Sequence, residues 1–298
     1  MLFLAPAGFP PRAPARKRAV RYFYSLCFKS AKLAAVTFKH QQGIGLRFDH
    51  AAATYDRHTA IQWSVARRLL WEIEKDPAPR RILEIGCGTG LLTEQLRERF
   101  PGAQVHALDL SPAMVAVARR RWRGAGRVRW HVGDVRRFQP AGKFDLIVSN
   151  CALHWVVPLI PALRRIARWL APGGRFHAAI MLRGTLTELH NTRRRVAPDK
   201  TPLRTLPTFA AICSNVRAAG FARVVARRYK AVKSYPSADA LLHILHEQGL
   251  TGGAIAGRGR PLTRGELQRL RAEYDQRFQT PKGVKATYRV AYLCARKS

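Results

Sequence analysis

The 298 residues of the chain combine a hydrophobic content of 47% with a formal net charge of +35, from 53 lysines and arginines against 18 aspartates and glutamates. This composition excludes a disordered protein, and because no run approaches about 20 apolar residues we expect no membrane span. The five cysteines are widely spaced and include no C-x-x-C pair, which argues against a zinc site or a disulfide framework and indicates a reducing compartment.

The first 45 residues form a basic N-terminal arm that differs from the rest of the chain. No aspartate or glutamate occurs before Asp49, and a proline-rich opening leads into Arg16-Lys17-Arg18. The short apolar stretch precedes this basic cluster, which does not fit a secretory signal. Two interpretations stay open: a disordered extension, or an organelle transit peptide.

A short apolar strand over residues 81–85 leads directly into a glycine-rich loop. Gly86, Gly88 and Gly90 alternate with single residues, and apolar residues with helical spacing follow from Leu91. Glycines permit positive φ and close approach of a ligand to the backbone, and the helix beyond them presents free amides. A strand, loop and helix in this order are typical of the start of a nucleotide-binding sheet.

Further strands alternate with helices through the middle of the chain. One strand, over 105–108, ends at Asp109, about 20 residues after Gly90, where an acid can accept both ribose hydroxyls of an adenosine. Asp134 and Asn150 lie at or near the ends of two later strands. We predict these later strands over 128–132, 144–148 and 175–181. The alternation predicts an α/β fold with a doubly wound, mostly parallel sheet that binds ligands at the carboxyl ends of its strands.

The chemistry of the loop narrows the choice of nucleotide. No Gly-Lys-Ser/Thr follows the glycines, which excludes a Walker loop, and Gly86-x-Gly88-x-Gly90 departs from the G-x-G-x-x-G spacing of nicotinamide sites. Glu84, at the base of the loop, disfavours a pyrophosphate and suits a cationic ligand. Residues 84–90 and the Ala-Pro-Gly-Gly turn at 171–174 resemble the motifs of class I S-adenosylmethionine-dependent methyltransferases.

This resemblance implies roles for individual residues around S-adenosyl-L-methionine. Glu84 is expected to organise the loop and the methionine ammonium, and Asp109 to hold the ribose. The other expected cofactor contacts are Gly86, Gly88 and Gly90 beneath the cofactor, Tyr55 over its methionine carboxylate, Leu110 and Met114 beside the adenine, Asp134 and Val135 at the adenine amino edge, and Asn150 toward the methionine part.

Several flanking segments are similar to a narrower family, the malonyl-acyl-carrier-protein O-methyltransferases of biotin biosynthesis. These segments are 48–56 with Ile61-Gln62, 149–155, 184–190, 245–252 and 261–264, so that the similarity covers about residues 46–296. His246 stands where the family often has lysine, and the stretch 252–260 is richer in glycine and arginine. These departures bear on the substrate more than on the cofactor.

The family resemblance implies methyl transfer to the free carboxylate of a malonyl thioester on an acyl-carrier protein, which gives the methyl ester that primes pimeloyl synthesis. A carboxylate is ionised at pH 7, so positioning and desolvation are expected to provide most of the catalysis without a strong base or a metal. Tyr55, closing over the cofactor, and Arg204, clamping the malonyl carboxylate, are the predicted catalytic residues. His154, Trp155 and Arg204 are the predicted substrate contacts.

The net charge agrees with an acidic carrier protein as partner, because a basic surface speeds such encounters. The same charge suits nucleic acid, although no zinc-finger spacing or RNA-binding signature is present and we expect no specific nucleic acid. Compositional drift on solvated faces accounts for an excess of this kind equally well. The open alternatives are an arginine hydroxylase or assembly factor on the same scaffold, a nucleic-acid methyltransferase and a methyltransferase of small carboxylates.

The sequence therefore predicts a single methyltransferase domain over residues 46–298 behind the arm of residues 1–45. Its seven-stranded sheet is expected to carry a helical insert, at about 184–220 and 236–280, and to finish in an antiparallel strand pair near 221–228 and 287–295. We expect a monomer in the cytoplasm, or in an organelle matrix if the arm is a transit peptide.

Overall fold

The computed structural model of the protein describes residues 42–74, 77–122, 124, 126–200, 205–251 and 261–297. Most of the predicted basic arm lies outside the described residues, and so does Arg204. Among the described residues, no helix is both long enough and apolar enough to cross a membrane.

Helices and strands alternate along the described chain. The helices are α1 (42–51), α2 (Ala60–Ile73), α3 (Leu91–Arg99), α4 (Pro112–Arg121), α5 (Leu159–Trp169), α6 (Thr187–Val196), α7 (Phe209–Ala218), α8 (Ala238–Glu247) and α9 (Arg264–Arg277), with short 3-10 helices at Tyr55–His58, Leu153–Trp155 and Pro198–Lys200. The strands are β1 (Arg81–Ile85), β2 (Gln104–Asp109), β3 (Val128–Val132), β4 (Phe144–Asn150), β5 (Leu170–Met181), β6 (Phe221–Tyr235), β7 (Gln279–Thr280) and β8 (Gly283–Lys297).

One sheet organises the described residues, with its main strands in the order β3-β2-β1-β4-β5-β8-β6 and the short β7 pairing with β8. The first five strands in this order are all parallel, whereas β8 runs antiparallel to both β5 and β6. The chain builds outward from β1 to β3 and then returns to β4 on the other side of β1. Ligands of open α/β sheets bind at such a reversal, at the carboxyl ends of the strands.

Alternate side chains of each central strand pack into cores on opposite faces of the sheet. On β1, Ile82 joins the core formed with α2, α3, α8 and α9, whereas Leu83 joins the core formed with α5 and α7. On β4, Leu146 and Ile147 divide in the same way. Strands that are buried on both faces appear in a sequence as continuous apolar runs, and for that reason β1 and β4 can be predicted from the sequence.

The antiparallel strand pair confirms the predicted end of the fold, and it is longer than predicted. β6 and β8 each contain 15 residues, and their pairing extends to Tyr235 opposite Val284. Lysines and arginines interrupt the apolar pattern of β6, which forms the edge of the sheet, so that its second half lacks the alternation typical of a half-buried strand. Pairing with the largely buried β8 holds that half in extended conformation.

The helices between and beyond the last strands begin at hydrogen-bonding caps. Thr208 caps α7 and Ser237 caps α8 through their hydroxyls, and Thr263 with Glu266 forms a capping box at α9. Glu266 also accepts a hydrogen bond from Lys200 Nζ over 2.7 Å, which ties α9 to the segment after α6. These caps set the positions of the helices that border the site described below.

Candidate active site at the carboxyl ends of the parallel strands

The glycine loop after β1 adopts a backbone conformation that only glycine accepts readily. Gly86, Gly88 and Gly90 all have positive φ, of 77°, 54° and 84°. A Cβ on Gly86 would overlap the Cβ of Ala152, so close packing against the residues after β4 requires glycine there. A Cβ on Gly88 would meet no protein atom within 4 Å. The loop therefore leaves an open cradle at Gly88.

Asp109, at the end of β2, lies beside this cradle. Its Oδ2 accepts a hydrogen bond from the Gly88 amide over 2.8 Å, and its Oδ1 accepts one from the Ser111 amide over 2.9 Å. Burial raises the pKa of the Asp109 carboxyl, although these amide hydrogen bonds oppose the shift. Each carboxylate oxygen has a second lone pair with which to accept a hydroxyl.

Glu84, on β1, is a buried carboxyl under the glycine loop with 1% of its surface exposed. Thr93 Oγ1, in α3, donates a hydrogen bond to Glu84 Oε2 over 2.5 Å. Burial raises the pKa of Glu84 to about 8, and the nearby Asp109 carboxylate adds to the shift. The hydrogen bond from Thr93 opposes this shift, and a cationic group brought close to Glu84 would restore its ionised form.

Two small cavities meet above the loop. One, of about 100 Å³, is lined by the predicted residues Leu110, Met114, Asp134 and Val135 together with Asp109. The other, of about 60 Å³, is lined by Glu84, and both reach Tyr55, Gly86, Gly88 and Asn150. The structure thus brings together all of the predicted cofactor contacts except Gly90. Both volumes are below the range of about 300–1,000 Å³ that is usual for ligand pockets.

Gly90 supports the loop from behind instead of facing the cavities. A Cβ there would approach Trp122 Nε1 to 2.8 Å and the Trp130 ring to 2.9 Å. Two tryptophans that the sequence did not single out therefore close the back of the loop.

Asp134 lines the cavity, and its carboxylate is already engaged. Arg136 Nε donates to Asp134 Oδ2 over 2.9 Å, its Nη2 donates to the same oxygen, and its backbone amide reaches Oδ1 over 2.8 Å. Arg136 also donates to the Val157 carbonyl. The sequence did not single out this arginine, because a single basic residue two positions after an acid is unremarkable in a chain with 53 of them.

Residues 48–58, the covering segment, lie over the glycine loop and are held there by two carboxylates. Asp49 Oδ1 accepts hydrogen bonds from Ser111 Oγ over 2.5 Å and from the Ala113 amide over 3.1 Å. Asp56 Oδ1 accepts one from Thr89 Oγ1 over 2.5 Å. The sequence related residues 48–56 of this segment to the family, without assigning roles to either aspartate.

A much larger cavity, of about 730 Å³, lies next to the two small ones. Phe48, Tyr55, Cys151 and Trp155 line both this cavity and the 100 Å³ cavity, and we call these four side chains the shared wall. Three of their rings touch edge to face, with centroid distances of 6.2 Å between Phe48 and Tyr55 and 5.8 Å between Phe48 and Trp155. Two compartments that share a wall are suited to a donor on one side and an acceptor on the other.

His154 and Tyr55 are uncharged at this junction. Burial lowers the pKa of His154 to about 3, and its Nδ1 has no hydrogen-bond partner among the described residues. Burial also raises the pKa of the Tyr55 hydroxyl.

Asn150 Nδ2 donates to the Gln62 carbonyl over 3.1 Å, which fixes the end of β4 against α2. Within the described part of the chain, no three histidines, cysteines or carboxylates come together as metal ligands.

Comparisons with known proteins agree with this geometry. Residues 82–174 match a family model described as a methyltransferase domain. The malonyl-[acyl-carrier protein] O-methyltransferase of Halorhodospira halophila is 34% identical over 251 residues, which cover 82% of this chain and 84% of that protein. The protein of the same name from Halalkalibacterium halodurans is 28% identical over 269 residues, which cover 86% and 98%.

A solved structure shares the fold. The phosphoethanolamine N-methyltransferase 2 of Haemonchus contortus, in complex with S-adenosyl-L-methionine, superposes with a TM-score of 0.54 at 20% identity. The match covers 84% of this chain and 57% of that one, so the chain spans little more than half of that enzyme.

The residues around the small cavities suit S-adenosyl-L-methionine as the cofactor. Gly88 leaves room for a ligand, Asp109 offers acceptors for a ribose, and Glu84 is a buried acid whose raised pKa a cationic group would lower. Fold and site together define a class I S-adenosylmethionine-dependent methyltransferase. Within that class, the chain belongs to the family of malonyl-[acyl-carrier protein] O-methyltransferases.

Proposed function

We propose that the chain methylates the free carboxylate of malonyl-acyl-carrier protein, giving the methyl ester that primes pimeloyl synthesis for biotin. The observation that carries this proposal is the shared wall, because the same four side chains border the cavity beside Asp109 and the larger cavity. A methyl group carried in the first compartment has only this wall between it and an acceptor in the second. The names of the relatives supply the identity of the acceptor.

The residues around the small cavities would bind and orient the cofactor. When bound, S-adenosylmethionine supplies a methyl group on a positively charged sulfur, which a carboxylate oxygen can accept in one displacement. Asp109 would accept the ribose hydroxyls, and Glu84 would pair with the methionine ammonium. The remaining contacts would be Gly86 and Gly88 beneath the cofactor, Leu110 and Met114 beside the adenine, Asp134 and Val135 at its amino edge, and Asn150 near the methionine part.

The side chains at the junction would position the acceptor and exclude water, without acting as bases. Tyr55 and His154 are both neutral at pH 7, since burial raises the pKa of the phenol and lowers that of the imidazole to about 3. A carboxylate acceptor is already ionised and needs no proton removed. Trp155 would keep bulk water from the junction. Arg204, outside the described residues, stays our proposed clamp for the malonyl carboxylate.

The charge of the chain supports an acidic carrier protein as partner. Residues 146–187, which include α5 and β5, contain no aspartate or glutamate. Electrostatic steering between opposite charges raises association rates by about 10–10³-fold at low salt. The free cysteines Cys87, Cys151, Cys213 and Cys294 support a reducing compartment such as the cytoplasm.

A test of the acceptor class separates this function from its alternatives. Methyl-labelled S-adenosylmethionine would be incubated with the protein and with malonyl-acyl-carrier protein, malonyl-coenzyme A or bulk RNA in parallel. We expect label on the carrier protein, released by mild base as an ester is, and a decline in rate with rising salt. Label on RNA alone would replace the proposal by a nucleic-acid methyltransferase. Cofactor binding without label on any acceptor would favour the hydroxylase or assembly-factor alternative.

A further inference from the structure

The larger cavity is lined by basic side chains and, among its described lining residues, by no aspartate or glutamate. The arginines and histidines of the lining are Arg57, Arg193, His58, His154, His190 and His246. The proposed acceptor is anionic at two places, the free carboxylate of its malonyl group and the phosphate that joins its phosphopantetheine arm to the carrier. A cavity without acids in its lining can accept both charges without repulsion.

The walls of this cavity combine apolar and polar side chains. The apolar part includes leucines of three helices, Leu189, Leu242, Leu245, Leu267 and Leu270. The polar part includes Gln62, Thr185, Tyr235, Gln248, Thr251 and Tyr288. A phosphopantetheine arm is mixed in the same way, because amide groups alternate with methylene groups along it. Buried amides need hydrogen-bond partners, whereas methylene groups gain from contact with leucines.

Two polar pairs of the lining keep donors for such amides. The hydroxyls of Tyr235 and Tyr288 share one hydrogen bond of 2.6 Å, so that one of their two hydroxyl hydrogens stays free for another acceptor. Gln248 Nε2 lies 3.3 Å from Gln62 Oε1, and Gln62 Nε2 has no partner among the described residues. The lining therefore suits the arm as well as the malonyl group.

Arg193 lies near the end of α6, away from the shared wall. Leu186, Leu189, His190 and Arg193 all line the cavity. Leu186 follows the carboxyl end of β5, and Arg193 lies about 10 Å further along the helix axis. No residue of the shared wall belongs to α6. Arg193 is therefore placed for the distant end of the arm and not for a carboxylate at the wall.

This end of the cavity opens to solvent. Arg193 Nε donates to the Lys200 carbonyl over 3.1 Å, and Lys200 Nζ donates to the carbonyl of Pro261, an exposed residue of the lining, over 3.1 Å. The bond to Lys200 fixes the plane of the guanidinium. The two Nη atoms of Arg193 have no hydrogen-bond partner in the described part of the chain.

The electrostatic surroundings of Arg193 favour an anion. Burial lowers the pKa of Arg193 and the Glu266 carboxylate opposes that shift, but Glu266 also accepts a hydrogen bond of 2.7 Å from Lys200 Nζ. Burial lowers the pKa of His190 too, and the charges of Arg193 and Arg194 add to the shift, so the potential here is positive. His190 is neutral at pH 7 and can still donate one hydrogen bond.

We propose that Arg193 binds the phosphate of the phosphopantetheine arm, with the malonyl carboxylate at the shared wall and the arm along the mixed lining between them. This inference rests on the proposed function and adds the residue that recognises the arm of the carrier. An extended arm measures roughly 15–20 Å from carboxylate to phosphate, which is enough to pass along the stripe on α6. The two Nη atoms match two phosphate oxygens, and His190 would donate beside them.

A pair of substrates that differ only in the phosphate tests this assignment. Malonyl-phosphopantetheine should have a kcat/KM at least tenfold above that of malonyl-pantetheine, mainly through KM, because hydrogen bonds to a charged group are lost without the phosphate. Arg193→Gln should abolish this difference and change kcat/KM for malonyl-pantetheine less than threefold. Arg195→Gln is the matched control, since it removes the same charge from the same helix where Arg195 pairs with Glu273. It should preserve the difference.

Two outcomes with these substrates would overturn the inference. One is a wild type that does not distinguish the two thioesters, and the other is an equal loss with both in Arg193→Gln. Malonyl-acyl-carrier protein and malonyl-coenzyme A present the same arm, so Arg193→Gln should raise KM at least tenfold for both. A loss with coenzyme A alone would assign Arg193 to its nucleotide and would also overturn the inference.

Binding of the arm alone separates this inference from the proposed function. Calorimetry with the S-adenosylhomocysteine complex should show phosphopantetheine binding at least tenfold more tightly than pantetheine, with the difference lost in Arg193→Gln and kept in Arg195→Gln. Equal binding of the two ligands would overturn the phosphate site even if malonyl-acyl-carrier protein is methylated. The expected difference without methyl transfer to any thioester would support the phosphate site and overturn the proposed function.

Discussion

Thr89, in the glycine loop, donates a hydrogen bond of 2.5 Å from its hydroxyl to Asp56 in the covering segment. Arg121, at the end of α4, forms an ion pair with the other oxygen of the same carboxylate. These two contacts of Asp56 fasten the covering segment, which overlies the small cavities, to the glycine loop and to α4 by a hydrogen bond and an ion pair. Since this segment overlies the cavities that the cofactor would occupy, we expect these contacts to open when the cofactor binds or leaves.

Removing this fastening should change the kinetics of cofactor exchange more than the affinity. Hydrogen bonds to charged groups contribute about 1.5–3 kcal/mol, so Asp56→Ala should raise both the association and the dissociation rate constants about tenfold. The dissociation constant should change less than about threefold, because the contact is present before binding. Stopped-flow fluorescence with S-adenosylhomocysteine measures both rates.

Asp239→Ala is the matched control, since it removes an acid that pairs with Arg271 at the protein surface. It should leave both rates unchanged. An Asp56→Ala protein whose dissociation constant rises while its association rate stays constant would show that the contact forms only after binding.

Glu84→Gln should stabilise the protein without cofactor and weaken cofactor binding. The pKa of Glu84 is about 8 in the folded chain, above the ordinary 4.5 of an unfolded chain, so the folded state holds a proton that the unfolded state has lost. Stability of the wild type therefore falls as the pH rises from about 4.5 to 8, and the glutamine variant lacks this loss. At pH 8 its free energy of unfolding should exceed that of the wild type by more than about 1 kcal/mol.

Calorimetry provides the second readout for Glu84. If the cofactor ammonium ionises this carboxyl, binding at pH 7 releases a proton, and the measured enthalpy depends on the ionisation enthalpy of the buffer. The glutamine variant should bind at least tenfold more weakly and show no such dependence. Glu188→Gln, which alters a buried carboxyl bonded to Thr287, should leave cofactor binding intact. Proton release that persists in Glu84→Gln would contradict the assignment.

Two alanine substitutions in the glycine loop should have different effects, one mainly on cofactor binding and the other mainly on the stability of the fold. Gly88→Ala places a Cβ in open space, so it should destabilise the fold only by the cost of a positive φ, about 1–2 kcal/mol. The added methyl group fills the cradle, however, and should weaken cofactor binding at least tenfold. Gly86→Ala overlaps the Ala152 Cβ and should destabilise the fold more. Thermal unfolding and calorimetry separate the two effects.

Gly220→Ala is a matched control for the backbone. Gly220 also has a positive φ, of 88°, with no atom within 4 Å of an added Cβ, and it lies in the turn between α7 and β6. It should lose as much stability as Gly88→Ala and bind the cofactor as the wild type does. Equal cofactor affinity in the Gly88 and Gly220 variants would mean that Gly88 does not border the cofactor.

Local pattern was sufficient to predict β1 to β4, the loop and the order of the polar strand ends. The fifth strand begins at Leu170, before the predicted start at residue 175, and includes the predicted turn at 171–174. β1 was predicted with its observed bounds. A strand buried on both faces, between a proline-containing turn and a glycine loop, can be identified from a few residues. The end of β6 was not predicted, since its basic residues lack strand periodicity and its pairing with β8 spans dozens of residues.

Contacts between distant parts of the chain account for what the sequence left unassigned at the site. The hydrogen-bonded partners Asp49 and Ser111 are far apart in sequence, and so are Asp56 and Thr89. The local sequence around one partner therefore does not predict the other. The engagement of Asp134 by Arg136 depends on a side-chain rotamer. The larger cavity is a property of several packed helices together and corresponds to no local motif.

The most direct test of the account is to locate the transferred methyl group. After incubation of the protein with S-adenosylmethionine and malonyl-acyl-carrier protein, mass spectrometry of the released acyl group should place one methyl on the free carboxyl oxygen. Asp109→Ala should abolish the product by loss of cofactor binding, whereas Asp239→Ala should not. A methyl group on carbon, on nitrogen or on the carrier polypeptide, or a product formed equally by Asp109→Ala, would contradict methyl transfer across the shared wall.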